Sequence, residues 1–397
     1  MAKGADGDGR GRNFRIATEV VLAGRTPFAF EGFVNTPIYR GSTVLSPTVD
    51  QYLSRKGRYT YGRRGTPTTD ALAAALAKLE GGAGVVLTPS GLSAITTSLL
   101  AVLKAGDHLL MTDSVYYPTR HFCDTALEKL GVEVNYYDPV IGGAIEKLFK
   151  PNTRAVFLES PGSLSFEMQD VPAIVKAAHA RGAVTLMDNT WATPVYFKPH
   201  EFGIDLSLAA GTKYLGGHAD ANIGWISANE KSFPALKEVH GTLGLCPGPE
   251  DVFLSLRGLR TLAVRLDRHM TSALAIARWL GARPEVLRVL HPALPGDPGH
   301  AIWKRDFKGA SGLFSFVLRP NYSAKAVAAF VEWLELFGIG ASWGGFESLA
   351  IPFDCTKMRS ATKWAPGGPA VRLHVGLEDV DDLMADLERG LSALARL

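Results

Sequence analysis

A lone lysine, Lys213, sits in the stretch Ser207-Leu208-Ala209-Ala210-Gly211-Thr212-Lys213-Tyr214-Leu215-Gly216-Gly217-His218, among hydroxyls, small residues and glycines. No other lysine or arginine lies between Lys198 and Lys231. A desolvated lysine amine gives up its proton readily and can then attack a carbonyl carbon. The plainer alternative is a surface lysine at a turn, and the rest of the chain has to decide between them. Asp188 precedes Lys213 by 25 residues, at the end of the apolar run Ala183-Val184-Thr185-Leu186-Met187. Tyr116 and Glu159 also follow apolar runs. Gly91 and Leu92 lie in Pro89-Ser90-Gly91-Leu92-Ser93-Ala94, where strand gives way to helix, a place for an anion or an ordinary turn. Arg63 and Arg64, framed by glycines, either grip a phosphate or carboxylate or sit in a solvated turn. Arg372 alternates with Val371 and Leu373 in a buried-looking strand, sharing a face with His374. It needs an anion, either a structural carboxylate or one brought by a substrate.

These residues need elements that position them. Short apolar runs alternate with helical patterns from about residue 69 to 227. The runs are Gly84–Thr88, His108–Thr112, Gly131–Tyr137, Thr153–Glu159, Ala183–Met187, Ile204–Leu208 and Ile223–Ser227. Continuous apolar strands between helices predict a mostly parallel sheet buried on both faces. Ligands bind such sheets beyond the carboxyl ends of the strands, where Tyr116, Glu159 and Asp188 fall. Helices are expected at Thr69–Leu79, at about 91–103, at 120–130 and at Val171–Arg181. Beyond Arg257 the pattern changes to a long helix over Leu259–Leu280, strands at Val286–Leu290, Gly312–Leu318 and Ala370–Val375, and helices at about 323–338 and 378–395. The prediction is an α/β fold with three parts. Residues 1–65 form an irregular arm, 66–258 the main α/β domain, and 259–397 a smaller α+β domain. An irregular segment as long as 14–65 is expected to be functional or wrapped on a partner.

Composition narrows the function. The formal net charge is +3 over 397 residues, with 46% hydrophobic and 20% charged residues, which argues against nucleic acid as a partner. Arg257, Arg260, Arg265 and Arg268 read as one helix face rather than as a basic patch. The cysteines Cys123, Cys246 and Cys355 are odd in number and far apart, with no metal spacing and no disulfide framework, which fits a reducing compartment. No apolar run reaches membrane-spanning length. The first thirteen residues lack an apolar core and read as a disordered start, not as a signal peptide. A cytoplasmic protein without a metal is expected. The acidic run Glu378-Asp379-Val380-Asp381-Asp382 reads as a helix N-terminus. No Gly-x-x-x-x-Gly-Lys loop and no Gly-x-Gly-x-x-Gly after a strand is present, which counts against a nucleotide-binding protein.

Combined, the candidates suit one kind of chemistry. Condensing an amino acid with an aldehyde on a pyridinium ring gives its α-carbon an electron sink. Such a site needs a lysine, a carboxylate for the ring nitrogen, an aromatic to stack, phosphate donors at a glycine turn, and an arginine for the substrate carboxylate. Lys213, Asp188, Tyr116, Gly91-Leu92 and Arg372 supply them.

From about residue 17 to its end the chain resembles the pyridoxal-phosphate enzymes of cysteine and methionine metabolism, of fold type I. The likeness is carried by Tyr61-Gly62-Arg63-Arg64-Gly65-Thr66, Leu79-Glu80-Gly81-Gly82-Ala83-Gly84, Phe157-Leu158-Glu159-Ser160-Pro161-Gly162-Ser163, Met187-Asp188-Asn189-Thr190-Trp191, Thr212-Lys213-Tyr214-Leu215, Arg257-Gly258-Leu259-Arg260-Thr261-Leu262, Ser342-Trp343-Gly344-Gly345 and Arg372-Leu373-His374-Val375-Gly376-Leu377-Glu378-Asp379. The resemblance implies that Lys213 carries the cofactor, pyridoxal 5'-phosphate, and later moves the α-proton. It implies that Asp188 pairs with the ring nitrogen and that Tyr116 stacks on the ring. Gly91, Leu92, Ser207 and Thr212 would hold the phosphate, joined by Tyr61 and Arg63 from a neighbouring subunit. Arg372, Ser342 and Trp343 would receive the substrate carboxylate. A homotetramer, a dimer of dimers with shared sites, is implied as well. Within the family the likeness is greatest to the bacterial β-lyases that split cystathionine into homocysteine, pyruvate and ammonia. Ser160-Pro161-Gly162-Ser163 and Ser342-Trp343-Gly344-Gly345 favour β-elimination over the γ-lyase, γ-synthase and O-acylhomoserine sulfhydrylase alternatives. The segment Val239–Pro247 departs from that pattern and leaves open other cysteine S-conjugates, or cysteine itself.

Overall fold

A computed structural model describes residues 14–394 of the chain. The expected disordered start at 1–13, and the end of the last predicted helix at 395, lie outside the described residues. The strands in chain order are β1 Gly84–Thr88, β2 His108–Thr112, β3 Glu133–Tyr137, β4 Thr153–Glu159, β5 Val184–Asp188, β6 Leu206–Ala210, β7 Gly224–Ala228, β8 Val286–Leu290, β9 Leu313–Leu318, β10 Leu349–Phe353 and β11 Ala370–His374. The first seven form one sheet in the order β1-β7-β6-β5-β4-β2-β3. Its pairings are parallel except at β7, which runs antiparallel to both β6 and β1. Apolar clusters cover both faces. Leu206 and Leu208 of β6 join one with Ile95 and Leu99 of the helix Gly91–Val102, while Ala209 joins the other with Leu72 and Leu76 of the helix Pro67–Glu80.

The second sheet has the order β10-β11-β9-β8 and is antiparallel throughout. Phe314, Phe316, Val371 and Leu373 face the helices Leu262–Gly281, Ala324–Glu332 and Val380–Leu394. Leu313, Val317 and Ala370 face the main core. Alternation therefore puts Arg372 and His374 on the side toward the larger sheet.

Several sequence expectations shift. The long helix expected over Leu259–Leu280 runs from Leu262 to Gly281, and a further helix, Pro249–Leu259, precedes it across the break at Arg260 and Thr261. The helix expected from Arg120 starts at Tyr117 and loosens into a wider turn over Cys123–Leu127. Strand β10 was not read, since Pro352 interrupts its apolar pattern. The Pro67–Glu80 helix is capped by the Thr66 hydroxyl and ends at Gly81 in the left-handed conformation (φ 77°), as Gly81-Gly82 suggested. Glu378, in the acidic run, accepts the Ser348 N–H at 2.8 Å and its hydroxyl at 2.9 Å, tying the last strand–helix connection to β10.

Glu80 lies wholly buried between the helix it ends and the sheet. It accepts Trp225 Nε1 at 2.9 Å and Ser207 Oγ at 2.9 Å. Burial pushes its carboxyl up to about 7, against the pull of those two donors. The folded state thus holds this proton more tightly than the unfolded chain, and stability falls as pH rises from the ordinary carboxylate range through about 7. The effect is of order 3 kcal/mol. Glu80→Gln should match wild type in denaturant midpoint at the acid end and exceed it increasingly toward neutral pH. A difference that does not change with pH would contradict this role for Glu80.

Candidate active site

Register brings the candidate residues together. Glu159 lies opposite Asp188 across β4 and β5, and Asp188 lies opposite Leu208 across β5 and β6. The chain then leaves β6 and turns through Gly211 and Thr212 to Lys213. One cleft at these strand ends is lined by Ser90, Gly91, Leu92, Tyr116, Glu159, Asp188, Thr212, Lys213, Trp343 and Arg372, among others.

Lys213 Nζ donates to Ser342 Oγ at 2.7 Å and lies 5.5 Å from the Trp343 ring centre. Both partners come from the loop after residue 340, which presses hard on the lysine. Gly344 is left-handed (φ 85°), and a Cβ there would meet the Lys213 backbone carbonyl carbon at 2.8 Å. Burial, reinforced by the charge of Arg372 and opposed by Asp188, pushes the Lys213 ammonium down to about 8. Lys213 is therefore no surface lysine.

Arg372 is buried and pushed down to about 10 by that burial. Its Nη2 donates to the carbonyls of Gly340, Ala341 and Ser342 at 3.2, 3.1 and 3.0 Å, while buried Nε has no partner. Among the described residues no carboxylate forms a salt bridge with it, so the structural-carboxylate alternative falls away. A charge held by carbonyls at one corner, with donors left over, suits an incoming carboxylate.

Thr190 donates its N–H at 2.9 Å and its hydroxyl at 2.6 Å to Oδ1 of Asp188, leaving Oδ2 without a protein donor among the described residues. Burial pushes the Asp188 carboxyl up, opposed by Thr190 and Lys213. Glu159 goes well above its usual range for the same reason, helped by the nearby Asp188 charge. It accepts the backbone N–H of Tyr116 at 2.8 Å and so fixes where that ring stands. Tyr116 is itself 44% exposed, with its hydroxyl pushed up by burial and by Asp188. Gly91 and Leu92 open a helix whose N-cap, Ser90, accepts the Ser93 N–H at 3.1 Å. The first N–H groups of such a helix have no partner within it and attract an anion. A Cβ on Gly91 would lie 2.4 Å from that of Ala210, so the cradle closes only with glycine there.

Ser207 is a correction. Its side chain is wholly buried on the sheet face opposite the Gly91–Val102 helix, and its hydroxyl donates to Glu80. Ser207 and Ala210 are three positions apart, and an odd spacing in a strand means opposite faces. Ala210, not Ser207, lines the cleft beside Thr212. Strand parity in the sequence already held that signal. Tyr61 and Arg63 do not line the cleft of their own chain. Arg63 Nη1 donates to the Gly241 carbonyl at 3.1 Å, and Tyr61 is 46% exposed.

These residues fit pyridoxal 5'-phosphate. The unpaired N–H groups beside Thr212 suit its phosphate, the free Oδ2 of Asp188 suits a protonated ring nitrogen, and the amine of depressed pKa suits its aldehyde.

Comparison with known proteins agrees with this geometry. Residues 17–392 match the family model of Cys/Met metabolism PLP-dependent enzymes. The cystathionine beta-lyase MetC of Escherichia coli is 45% identical over 390 residues, 96% of this chain and 99% of that one. The L-alanine/L-glutamate racemase of Wolbachia pipientis is 42% identical over 393 residues, covering 95% and 96% of the two chains. Among solved structures, the cystathionine gamma synthase from Xanthomonas oryzae pv. oryzae superposes with a TM-score of 0.89 at 34% identity, covering 97% of this chain and all of that one. With its sheet order, its cleft at the strand ends and a match spanning nearly its whole length, the chain belongs to the PLP-dependent enzymes of cysteine and methionine metabolism.

Proposed function

We propose that this chain is a carbon–sulfur β-lyase that splits L-cystathionine, or a closely related cysteine S-conjugate, with water into a thiol, pyruvate and ammonia. The observation that carries this reading is the pairing, in one cleft, of an amine pushed down to about 8 with an arginine that has no carboxylate of its own. The near full-length likeness to the E. coli enzyme selects β-lyase within the family. Bound pyridoxal 5'-phosphate supplies the sink for the electron pair left when the α-proton is removed. Lys213, Asp188, Tyr116, Thr212 and the N–H groups of Gly91 and Leu92 are the residues that would hold it.

The chain's own groups do the rest. Arg372 receives the substrate carboxylate, with Ser342 and Trp343 beside it, and so fixes the α-carbon over the lysine. The Lys213 amine, about one part in ten unprotonated at pH 7, takes the α-proton. The electron pair from that C–H bond then expels the β-sulfur, which leaves as a thiolate and takes up a proton. Thr190 donates twice to one Asp188 oxygen, which opposes the rise that burial imposes on this carboxyl and leaves the other oxygen to meet the ring nitrogen. Glu159 holds Tyr116 in place.

The assembly proposed is a homotetramer in which Tyr61 and Arg63 complete a neighbour's phosphate site. This is supported by the apolar surface of the arm, where Leu45 is 88% exposed and Val49 73%. A cytoplasmic setting is supported by three free cysteines.

With cystathionine the product should be pyruvate. Formation of 2-oxobutyrate would replace this reading with a γ-lyase, and D-alanine from L-alanine without pyruvate would place the chain with the racemase. Arg372→Ala should raise KM for cystathionine by roughly 100-fold, the loss expected for a charge-assisted carboxylate pair, with a smaller change in kcat. An unchanged KM refutes the carboxylate role. Borohydride reduction of the wild-type holoprotein should fix one cofactor mass on the peptide that contains Lys213. In Lys213→Ala no peptide should gain that mass, and labelling of another lysine at wild-type yield would refute the assignment.

A further inference from the structure

The loop between β4 and the helix Val171–Ala180 carries two bulky residues with left-handed backbone, Leu164 (φ 66°) and Phe166 (φ 58°). Both line the cleft. Such a conformation is unfavourable without glycine and persists only where the surroundings impose it. Part of the restraint is local. The Ser163 N–H donates to the Ser114 carbonyl at 2.8 Å, the Phe166 N–H to the Gly162 carbonyl at 3.0 Å, and the Gly162 N–H to the Glu167 carbonyl at 2.9 Å.

The remaining restraint comes from the second sheet's domain. The Arg359 side chain, 3% exposed, donates to both carboxylate oxygens of Glu167 at 3.0 Å and to the Ser165 hydroxyl. The Ser165 hydroxyl in turn donates to Glu167. The segment that carries Arg359 is anchored beside it on buried Asp113, which accepts the N–H groups of Ser360 at 2.9 Å and Thr362 at 2.8 Å. Arg120 pairs with the same carboxylate at 2.6 Å. Arg359 does not itself line the cleft. Phe166 is committed to the main core, whereas Leu164 is half-buried, so of the two Leu164 is the apolar side chain left to meet a substrate.

We propose that Arg359 is a positioning residue for substrate selection: by clamping Ser165 and Glu167 it holds Leu164 as a side wall of the cleft, and so sets which cysteine S-conjugates are accepted. This rests on the β-lyase reading above. The test compares kcat/KM for cystathionine and S-methylcysteine in full-length holoenzyme, alongside hydrogen exchange of the loop amides without substrate. Leu164→Ala leaves the clamp intact and should change the ratio of the two kcat/KM values by about tenfold, the size expected when an apolar pocket loses a few methyl-sized contacts. Arg359→Met should move the ratio in the same direction and speed exchange at Ser163 to Phe166. Arg359→Lys should restore part of both.

In the Leu164→Ala background, adding Arg359→Met should shift the ratio little further, because the wall is already gone. An unchanged ratio in Leu164→Ala overturns the proposal, as does full additivity in the double variant. Unaltered exchange at 163–166 in Arg359→Met overturns it as well. A wild-type enzyme that releases no pyruvate from any thioether overturns the β-lyase reading instead, and the exchange measurement still decides the clamp.

Discussion

The cleft depends on one electrostatic constraint. An ammonium and a guanidinium, Lys213 and Arg372, line one cleft in which Asp188 is the carboxylate that opposes the shift of Lys213. Two cations in low dielectric disfavour each other, and the one able to shed its charge is the lysine. Arg372 stays charged at neutral pH because its guanidinium, even pushed down to about 10 by burial, still holds its proton. The same arrangement therefore produces an amine of lowered proton affinity beside a guanidinium suited to a carboxylate. Asp188 opposes the shift of Lys213, which keeps the lysine near the working range of a general base rather than far below it.

Much of this was legible in the sequence because it follows from strand alternation and strand order. Asp188 and Lys213 end consecutive parallel strands, so they must emerge side by side. Arg372 had to face away from the apolar cluster of Val371 and Leu373, and it does. The same rule, not applied to β6, would have removed Ser207 from the phosphate site and put Ala210 there. What could not be read were contacts between segments far apart in sequence. Ser342 on Lys213, Arg359 on Glu167 and the carbonyl ring around Arg372 depend on how two sheets meet, and no local pattern encodes that. The helix Pro249–Leu259, just ahead of the long one, was equally absent from the sequence reading.

The two sheets meet at the site through short segments. Residues 340–345 bring Ser342 and Trp343 onto the lysine, and Gly344 is there because any Cβ would strike the Lys213 backbone. Residues 359–362 bring Arg359 and the donors to Asp113. Both segments come from the smaller domain, and both act on residues that the larger sheet presents. The larger sheet thus carries the groups suited to the cofactor, while the smaller one supplies Arg372, the group suited to a substrate carboxylate.

The central claim is that burial, reinforced by Arg372, lowers the proton affinity of Lys213. Its most direct test is competitive acylation of the cofactor-free protein across pH, read at the Lys213 peptide by mass spectrometry, in wild type and in Arg372→Met. A wild-type midpoint near 8 that moves upward in the variant is the expected result. A midpoint at the ordinary lysine value of 10.5, or one that stays put when Arg372 loses its charge, would contradict the account.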